Sequence, residues 1–334
     1  QFEISDNVTA SVQFTYTQVQ ATNMIAQVPM TAEPSAGPQW QIPITADNVF
    51  NVFNENITHW RYRSVPFGPR KNQYDNDIMG IRASLDGNFD LNDNTYFWSV
   101  GYQQNDGSYD QTGYNYINLA NLRNATGPSF QQADGSFKCG TPGSTITGCI
   151  PINLFGGPDM GLSNGVITQN DYNQMIDYVG YTLAGQSGFN SEDFWAEISG
   201  PMFEMPYGVA YFAAGYEVRN QGYYERPDPL VAGGLSSTNF SEATRGKTGS
   251  EEFFIEMNFP LLNGVTGAQE LEMTISARSS EFTSGGIVGS GTVSNSPGEP
   301  STTEIGIRWR PIDDVLVRFT KGETFRAPSV GTLY

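Results

Sequence analysis

The chain has few of the residues from which most metal, redox and nucleic-acid sites are built. Its 334 residues include one histidine, two cysteines and 17 basic side chains, against 35 acidic ones, for a net charge of −18. One histidine and two cysteines leave no ligand set for a dedicated transition-metal site. Because a phosphate-binding surface needs clustered Lys and Arg, the acidic balance argues against nucleic acid as a partner.

Long apolar runs are also missing. The longest, Val209–Ala214, ends at Gly215, so a transmembrane helix of about 20 apolar residues is excluded. A transmembrane β-strand is not excluded, since it needs only about ten alternating residues. No basic segment followed by an apolar stretch occurs at Gln1, so we expect that a signal peptide was removed or that the chain starts within a longer protein.

Glycine and aromatic residues are abundant. The chain contains 37 Gly, 19 Pro, 21 Phe, 17 Tyr and 5 Trp. This composition does not suit a helical bundle, and the aromatic content is too high for a disordered chain.

Apolar and polar residues alternate with period two in nine segments, which predicts nine strands with one apolar and one polar face each. In the first segment, for example, Val12 and Phe14 alternate with Gln13 and Thr15. The nine segments cover residues 8–16, 79–85, 96–102, 194–198, 210–218, 253–259, 271–277, 305–309 and 315–319.

Long and short links alternate strictly between these segments. Links of about 55, 85, 25 and 19 residues alternate with links of about 5, 5, 10 and 4 residues, such as Asp90–Asn94 and Pro311–Asp314. An up-and-down meander that crosses a membrane places all short turns on one side and all long loops on the other. We therefore predict an all-β, transmembrane antiparallel barrel with extracellular long loops. A soluble β-sandwich, whose apolar faces would meet in a core, is the alternative.

One helix is predicted within the long loops. Thr168 and Asp171 have capping-box spacing, and Tyr172, Met175 and Val179 follow with helical periodicity. The two cysteines, Cys139 and Cys149, flank a Gly-rich segment and predict a disulfide in an oxidising compartment. The alternative is two free thiols in a flexible loop.

Catalytic and calcium motifs are weak. Gly161–Gly165 matches GxSxG but lacks the preceding strand of a nucleophile elbow, and the single histidine, His59, comes before it. Asp86–Asp90 begins like a calcium loop, but Leu91 stands where glycine is needed. We expect no enzyme activity, no metal site and no cofactor, with a structural Ca²⁺ among the acidic loops left open.

Recognition by the long loops remains the main functional hypothesis. Aromatic side chains interleaved with Asn, Gln and Asp suit sugars or peptides. Arg61, Arg63, Arg70 and Lys71 form a basic patch that would suit an anionic chelate. Packing within the loops is the alternative role of each aromatic residue. The ligand-binding candidates are Trp40, Trp60, Tyr62, Tyr109, Tyr114, Tyr116, Tyr223 and Tyr224.

Four sequence segments carry a family resemblance, one of them the strand and turn of Glu304–Pro311. The most specific is Phe325-Arg326-Ala327-Pro328-Ser329 at the end of the last segment. Residues 149–157 (CIPINLFGG) and 213–219 (AAGYEVR) add to it. The chain resembles TonB-dependent outer-membrane receptors, in particular a proteobacterial branch with long, disulfide-containing loops.

The resemblance implies the fold, location and partners of the whole receptor. Such receptors are 22-stranded barrels of the Gram-negative outer membrane, with an N-terminal plug that contacts TonB, which ExbB and ExbD drive. They import scarce nutrients such as carbohydrates, peptides or metal chelates. Outer-membrane lipid and lipopolysaccharide would surround the barrel.

The chain departs from this pattern, because it shows no plug, no TonB box and too few strands. We expect residues 1–334 to be an internal part of the barrel domain, with the plug and the C-terminal strands outside it. The alternative functions are a non-energised porin or surface-interaction barrel, and a secreted β-rich binding module.

Overall fold

The predicted strands form one antiparallel sheet in the computed structural model, which describes residues 1–33, 37–294 and 298–327. The strands in these residues are β1 (Phe2–Ser5), β2 (Val8–Ile25), β3 (Pro29–Ala32), β4 (Trp60–Arg63), β5 (Arg70–Leu91), β6 (Asn94–Ile117), β7 (Ser129–Gln131), β8 (Phe137–Thr141), β9 (Ser144–Thr145), β10 (Gly180–Met205), β11 (Gly208–Arg226), β12 (Thr244–Val265), β13 (Ala268–Val288), β14 (Gly291–Ser294), β15 (Ser301–Ile312) and β16 (Val315–Gly322).

The main sheet is an up-and-down meander. Its order is β1-β2-β5-β6-β10-β11-β12-β13-β15-β16, with β14 added to β13. All nine predicted strands are confirmed as β2, β5, β6, β10, β11, β12, β13, β15 and β16. In the part of the chain that the structure describes, β1 and β16 are the edges of the sheet. The sheet is therefore open, as in a partial barrel.

The register joins the apolar residues of neighbouring strands into one continuous face. Ala83 lies opposite Tyr102, Tyr102 opposite Phe194, and Phe194 opposite Val218. Ile275 lies opposite Ile305 further along the sheet. Because side chains alternate along a strand, the intervening polar residues share the other face.

The apolar face has no second layer packed on it at the positions that distinguish a barrel from a sandwich. Ile305, Ile307 and Trp309 are 47, 38 and 40% exposed. In a sandwich these side chains would be buried between two sheets. A large exposed apolar face with paired polar backbone is the surface that a barrel wall presents to lipid.

The short connections are tighter than the sequence indicates. At the end of the main sheet opposite the long connections, five two-residue turns join neighbouring strands in the described residues, at 6–7, 92–93, 206–207, 266–267 and 313–314. Asn92 and Asp93 both have positive φ, 48° and 64°, as a two-residue hairpin turn requires. The first of these turns joins β2 to β1, a strand that the sequence analysis missed because it has only four residues.

The strands extend far beyond the apolar band on the side of the long connections. β6 has 24 residues and β10 has 26, whereas the alternating segments predicted there are much shorter. Beyond Tyr102 the same face of β6 becomes polar, with Gln104, Asp106 and Ser108. We call these parts of the strands the outer extensions (residues 104–117 of β6, 180–192 of β10 and 220–226 of β11).

The long connections contain the helices α1 (Leu119–Ala125), α2 (Gln169–Val179) and α3 (Pro229–Ala232). The predicted helix is confirmed as α2, with Thr168 and Asp171 in a capping box. α1 and α3 were not predicted, because they are too short for a periodic pattern, and only their N-caps, Asn118 and Asp228, mark them. None of the helices in the described residues is long and apolar enough to cross a membrane.

The largest buried core lies in the long connections. α1, α2 and the small sheets β3–β4 and β7–β8–β9 surround it. The predicted disulfide is confirmed, since Cys139 of β8 bonds to Cys149 and both are buried. We call this buried cluster the loop core. Its residues include Met30, Ile42, Phe50, Leu119, Leu122, Phe137, Ile152, Met160, Met175 and Val179.

Candidate functional site

A pocket of about 260 Å³ lies on the polar face, where the outer extensions meet the connection 227–243. Strands β5, β6, β10 and β11 form its wall, and the connection covers it. We call it the tyrosine pocket, and define it by Tyr74, Tyr109, Gln111, Tyr116, Glu225 and Asn239.

A strip of aromatic rings continues the pocket wall along the polar face. The rings of Tyr109 and Phe189 have centroids 6.0 Å apart, and their planes are inclined by 29°. Phe189 lies opposite Tyr223 in the register of β10 and β11. It also lies opposite Gly107, where a Cβ atom would be 2.3 Å from the Phe189 ring. Because glycine leaves this space free, the Phe189 ring can lie close against β6.

The connection above the pocket is held at several points. Asp228 caps α3 by accepting the Leu230 backbone N–H at 2.8 Å. It also accepts the Ala184 N–H of β10 at 3.0 Å. Because the pairing of β10 with β11 begins only at Gln186, β11 offers this N–H no partner. Tyr181 donates a hydrogen bond to Ser236. The cover of the pocket is therefore fixed to the strands that form its wall.

The tyrosine hydroxyls of the pocket differ in their partners. Tyr116 is buried and donates to Asn72 Oδ1 at 2.9 Å. The hydroxyls of Tyr74 and Tyr109 have no hydrogen-bond partner among the described residues. These two phenols are therefore free to bind polar groups of a ligand.

Acidic side chains dominate the charge of the pocket lining. Glu225 accepts from Ser241 Oγ at 3.2 Å, and Asp110 accepts from Gln186 Nε2 at 2.9 Å. Arg226 is the basic residue of this lining, and its guanidinium lies 5.1 Å from the centroid of the Tyr224 ring. Since Arg226 and Tyr224 lie at register positions of the opposite face, the polar groups of the pocket face are hydroxyl, amide and carboxylate groups.

Three candidates pack against the loop core instead of lining the pocket. Trp40, Trp60 and Tyr62 are half-buried there. Trp60 Nε1 donates to the Ile42 carbonyl at 2.8 Å, and the Tyr62 hydroxyl donates to the Gly157 carbonyl at 2.9 Å. Burial raises the pKa of Tyr62 to about 12. This environment favours the packing role over ligand binding for these three residues.

The remaining candidates lie in strands, although the sequence analysis assigned them in or beside loops. Tyr109, Tyr114 and Tyr116 belong to β6, and Tyr223 and Tyr224 belong to β11. Tyr109 and Tyr116 line the pocket, and Tyr223 extends the aromatic strip.

Tyr114 and Tyr224 lie at register positions of the opposite face. Tyr114 carries Lys71 over its ring at 5.7 Å. The loop assignment failed because both faces of the outer extensions are polar, so their sequence does not alternate in hydropathy.

Sequence reasoning missed the pocket residues Tyr74, Glu225 and Asn239, and it missed Phe189 of the aromatic strip. Tyr74 and Phe189 reach the site through cross-strand pairing, Tyr74 opposite Gln111 and Phe189 opposite Gly107. The signal that was present is Gly107, two residues before Tyr109, because a glycine within a strand marks a close approach from a neighbour.

The arginines of the basic patch have partners within the chain. Arg61 pairs with Glu33 at 2.8 Å. Arg63 and Arg70 donate to the backbone carbonyls of Gln27 and Ala26, each at 2.9 Å. These side chains hold the chain segment that leaves β2.

The family motif lies at the end of the polar face. The ring of Phe325 is 5.2 Å from that of Phe282. Phe325, Arg326 and Ala327 line a second cavity of about 560 Å³ beside Arg219 and Arg278. Pro328 and Ser329 lie outside the described residues.

The weak catalytic and calcium motifs have ordinary structural roles. Ser163 donates its backbone N–H to Asp159 at 2.9 Å within a loop. Residues 86–90 lie within β5, so their side chains alternate between faces and do not form a calcium loop. The described residues contain no group of three or more His, Cys, Asp or Glu side chains placed to hold a metal ion.

An open antiparallel meander with one lipid-compatible face defines the wall of an outer-membrane type of barrel. Residues 11–334 match the family described as TonB dependent receptor-like, beta-barrel. The chain belongs to the TonB-dependent receptor family and forms part of its barrel domain. No curated protein and no solved structure matches the chain.

Family membership gives the general function. TonB-dependent receptors are transporters of the Gram-negative outer membrane, and they are not enzymes. They act with the TonB system on nutrients.

Proposed function

We propose that this barrel domain belongs to a receptor that imports a scarce nutrient, either a carbohydrate, a peptide or a metal chelate, by TonB-dependent transport. The nutrient is captured at the outer extensions and long connections. A plug, energised by TonB, ExbB and ExbD, then rearranges and opens the way through the barrel. No covalent chemistry is involved.

The single observation that carries this proposal is the one-sided extension of the strands. The polar outer extensions and the loop core lie at one end of the apolar face, whereas the other end has two-residue turns. A pocket lies on the polar face of the extensions, and in a closed barrel the polar face lines the interior. A barrel that only filled the membrane would need neither feature.

The orientation of the loops has a direct test in intact cells. No free cysteine occurs in the described residues, so single cysteines can be introduced. Asn164→Cys lies in a long connection and Asp313→Cys in a short turn. A membrane-impermeant maleimide should label Asn164→Cys in intact cells and Asp313→Cys only after lysis. The reverse pattern would contradict an extracellular position of the long connections.

Energy dependence separates the transporter from a non-energised porin or surface barrel. The probes are a panel of carbohydrates, short peptides and ferric chelates, each supplied as a limiting nutrient to cells with and without the intact receptor gene. We expect a receptor-dependent growth advantage on at least one nutrient, lost when tonB is deleted. An advantage that survives the tonB deletion would favour the porin.

A further inference from the structure

We infer that the tyrosine pocket binds a hexose unit of a neutral or amine-bearing saccharide and discriminates against anionic ligands. This inference names the substrate class for the proposed function and rests on that function for its physiological meaning. Four properties support it: the aromatic strip that continues the pocket wall, and the pocket's size, free hydrogen-bonding groups and charge.

The aromatic strip provides a surface of the right shape. The rings of Tyr109 and Phe189 have centroids 6.0 Å apart and planes inclined by 29°, and the Phe189 ring lies against β6 at Gly107. A hexose ring has an apolar face of C–H groups, which packs well on a flat aromatic surface. The strip therefore offers an aromatic surface beside the pocket on which that face of a sugar can pack.

The size of the cavity restricts the ligand. Its volume of about 260 Å³ lies just below the usual range of roughly 300–1,000 Å³ for drug-sized ligands. One sugar unit of a longer chain fits such a volume, whereas a bulky metal chelate does not.

The free polar groups match the hydroxyls of a sugar. The hydroxyls of Tyr74 and Tyr109 and the amide of Asn239 have no partner among the described residues. Glu225 keeps acceptor capacity beyond its bonds to Ser241 and Tyr223. A sugar hydroxyl both donates and accepts, so it can pair with phenol, amide and carboxylate groups alike.

The charge of the pocket sets the preference among sugars. Glu225, Asp228 and Asp110 line it, and Arg226 is engaged with the Tyr224 ring. A carboxylate or phosphate on the ligand would meet like charge, and the basic residue of the lining, Arg226, lies at a register position of the opposite face of the sheet. An amine would instead face Glu225 directly.

The test uses the full receptor in detergent micelles and three hexose series, those of glucose, galactose and mannose. Each series contains the neutral sugar, its 2-amino form and its uronate, with trialanine as a peptide comparator. Binding is measured by saturation-transfer NMR and calorimetry. We expect the neutral and amino forms of at least one series to bind, and its uronate to bind at least about tenfold more weakly.

Matched variants locate the binding. Tyr109→Ala should weaken sugar binding by about tenfold or more, and Tyr109→Phe by less, because the ring remains. Tyr114→Ala is the control, since Tyr114 lies on the same strand but on the opposite face. Glu225→Gln should reduce the preference for the amino form several-fold. The difference in electrophoretic mobility between unheated and heated samples of each variant verifies that its barrel is folded.

Three results would overturn the inference: no binding in any series, tightest binding of a uronate or of trialanine, or unchanged binding in folded Tyr109→Ala. Failure here is distinguishable from failure of the proposed function. A receptor that binds no sugar but shows TonB-dependent growth refutes only the substrate class. A receptor that binds a sugar without TonB dependence refutes only the transport mechanism.

Discussion

Aromatic side chains have three different environments in the outer part of this molecule. Tyr109 lines a polar pocket, Trp60 packs on the loop core, and Tyr114 lies on the opposite face of the sheet under Lys71. Composition does not separate these roles, because a stacking surface for a ligand and a packing surface for a loop use the same rings. Register and burial separate them.

Trp60→Ala should loosen the loop core without affecting the tyrosine pocket. The substitution removes a half-buried indole and its hydrogen bond to Ile42, and we expect a loss of up to about 3 kcal/mol in local stability. Limited proteolysis should then cut the connection 26–69 faster. Trp60→Phe is the control and should lie between the variant and the parent protein.

An unchanged cleavage rate in Trp60→Ala, together with weaker ligand binding, would contradict the packing role. That result would indicate that Trp60 contacts the ligand. The same pair of measurements applied to Tyr109→Ala should give the opposite result, with weaker binding and no change in proteolysis of the connection.

Between elements, aromatic rings on one strand repeatedly lie over glycines on the next. Trp195 of β10 lies opposite Gly101 of β6, and Phe254 of β12 lies opposite Gly215 of β11. A Cβ atom at Gly101 would be 2.1 Å from the Trp195 ring, and one at Gly215 would be 2.5 Å from the Phe254 ring. Such pairs fix the register, because a slip of the strand would move each ring off its glycine.

Gly101→Ala should destabilise the barrel wall by about 1–3 kcal/mol, since the added methyl group displaces the Trp195 ring. The displacement also disturbs Arg82, whose guanidinium lies 4.6 Å from that ring. The loss of stability is measured as a fall in the midpoint of thermal unfolding, which is followed by the change in electrophoretic mobility after incubation at increasing temperature. Gly285→Ala of β13 is the matched control, because a Cβ atom there meets nothing within 4 Å.

Combining Gly101→Ala with Trp195→Ala tests the pair itself. The two effects should be less than additive, because the second substitution removes the ring with which the first one clashes. Strict additivity, or a loss in Gly285→Ala as large as in Gly101→Ala, would contradict the pairing of ring and glycine.

The disulfide acts on a single short segment. Cys139 and Cys149 are ten residues apart, so in the chain-entropy account their bond contributes about 2.5–3 kcal/mol. Cys139→Ser with Cys149→Ser should speed proteolysis within residues 129–149 and leave the unfolding midpoint of the strands unchanged. A fall of the barrel midpoint comparable to that expected for Gly101→Ala would show that the bond supports the whole sheet.

For the whole molecule, the sequence pattern predicts the part of each strand that contacts lipid. It does not predict the outer extensions. Hydropathy alternates only where the two faces meet different solvents, as for Val12 and Phe14 against Gln13 and Thr15. Beyond Tyr102 both faces are polar, so the outer extensions resemble loops in sequence. The predicted long links are therefore too long, whereas their alternation with short turns is correct.

The candidate site was predictable only in part for a related reason. Tyr109 and Tyr116 are recognisable as candidates from their residue type and polar neighbours. Phe189 and Glu225 join them only through the register of β10 and β11, which depends on pairing over long sequence separations. No local pattern in the sequence reports that pairing, except the glycines that mark close approach.

The central claim is that one face of the sheet meets lipid and the other meets water. Its most direct test is a spin-label scan of residues 304–309, one label per variant, in the receptor reconstituted in bilayers. Molecular oxygen should reach labels at 305, 307 and 309, and a water-soluble nickel complex should reach those at 304, 306 and 308. Equal access of the nickel complex to both sets, or burial of the odd-numbered set from both reagents, would contradict the account.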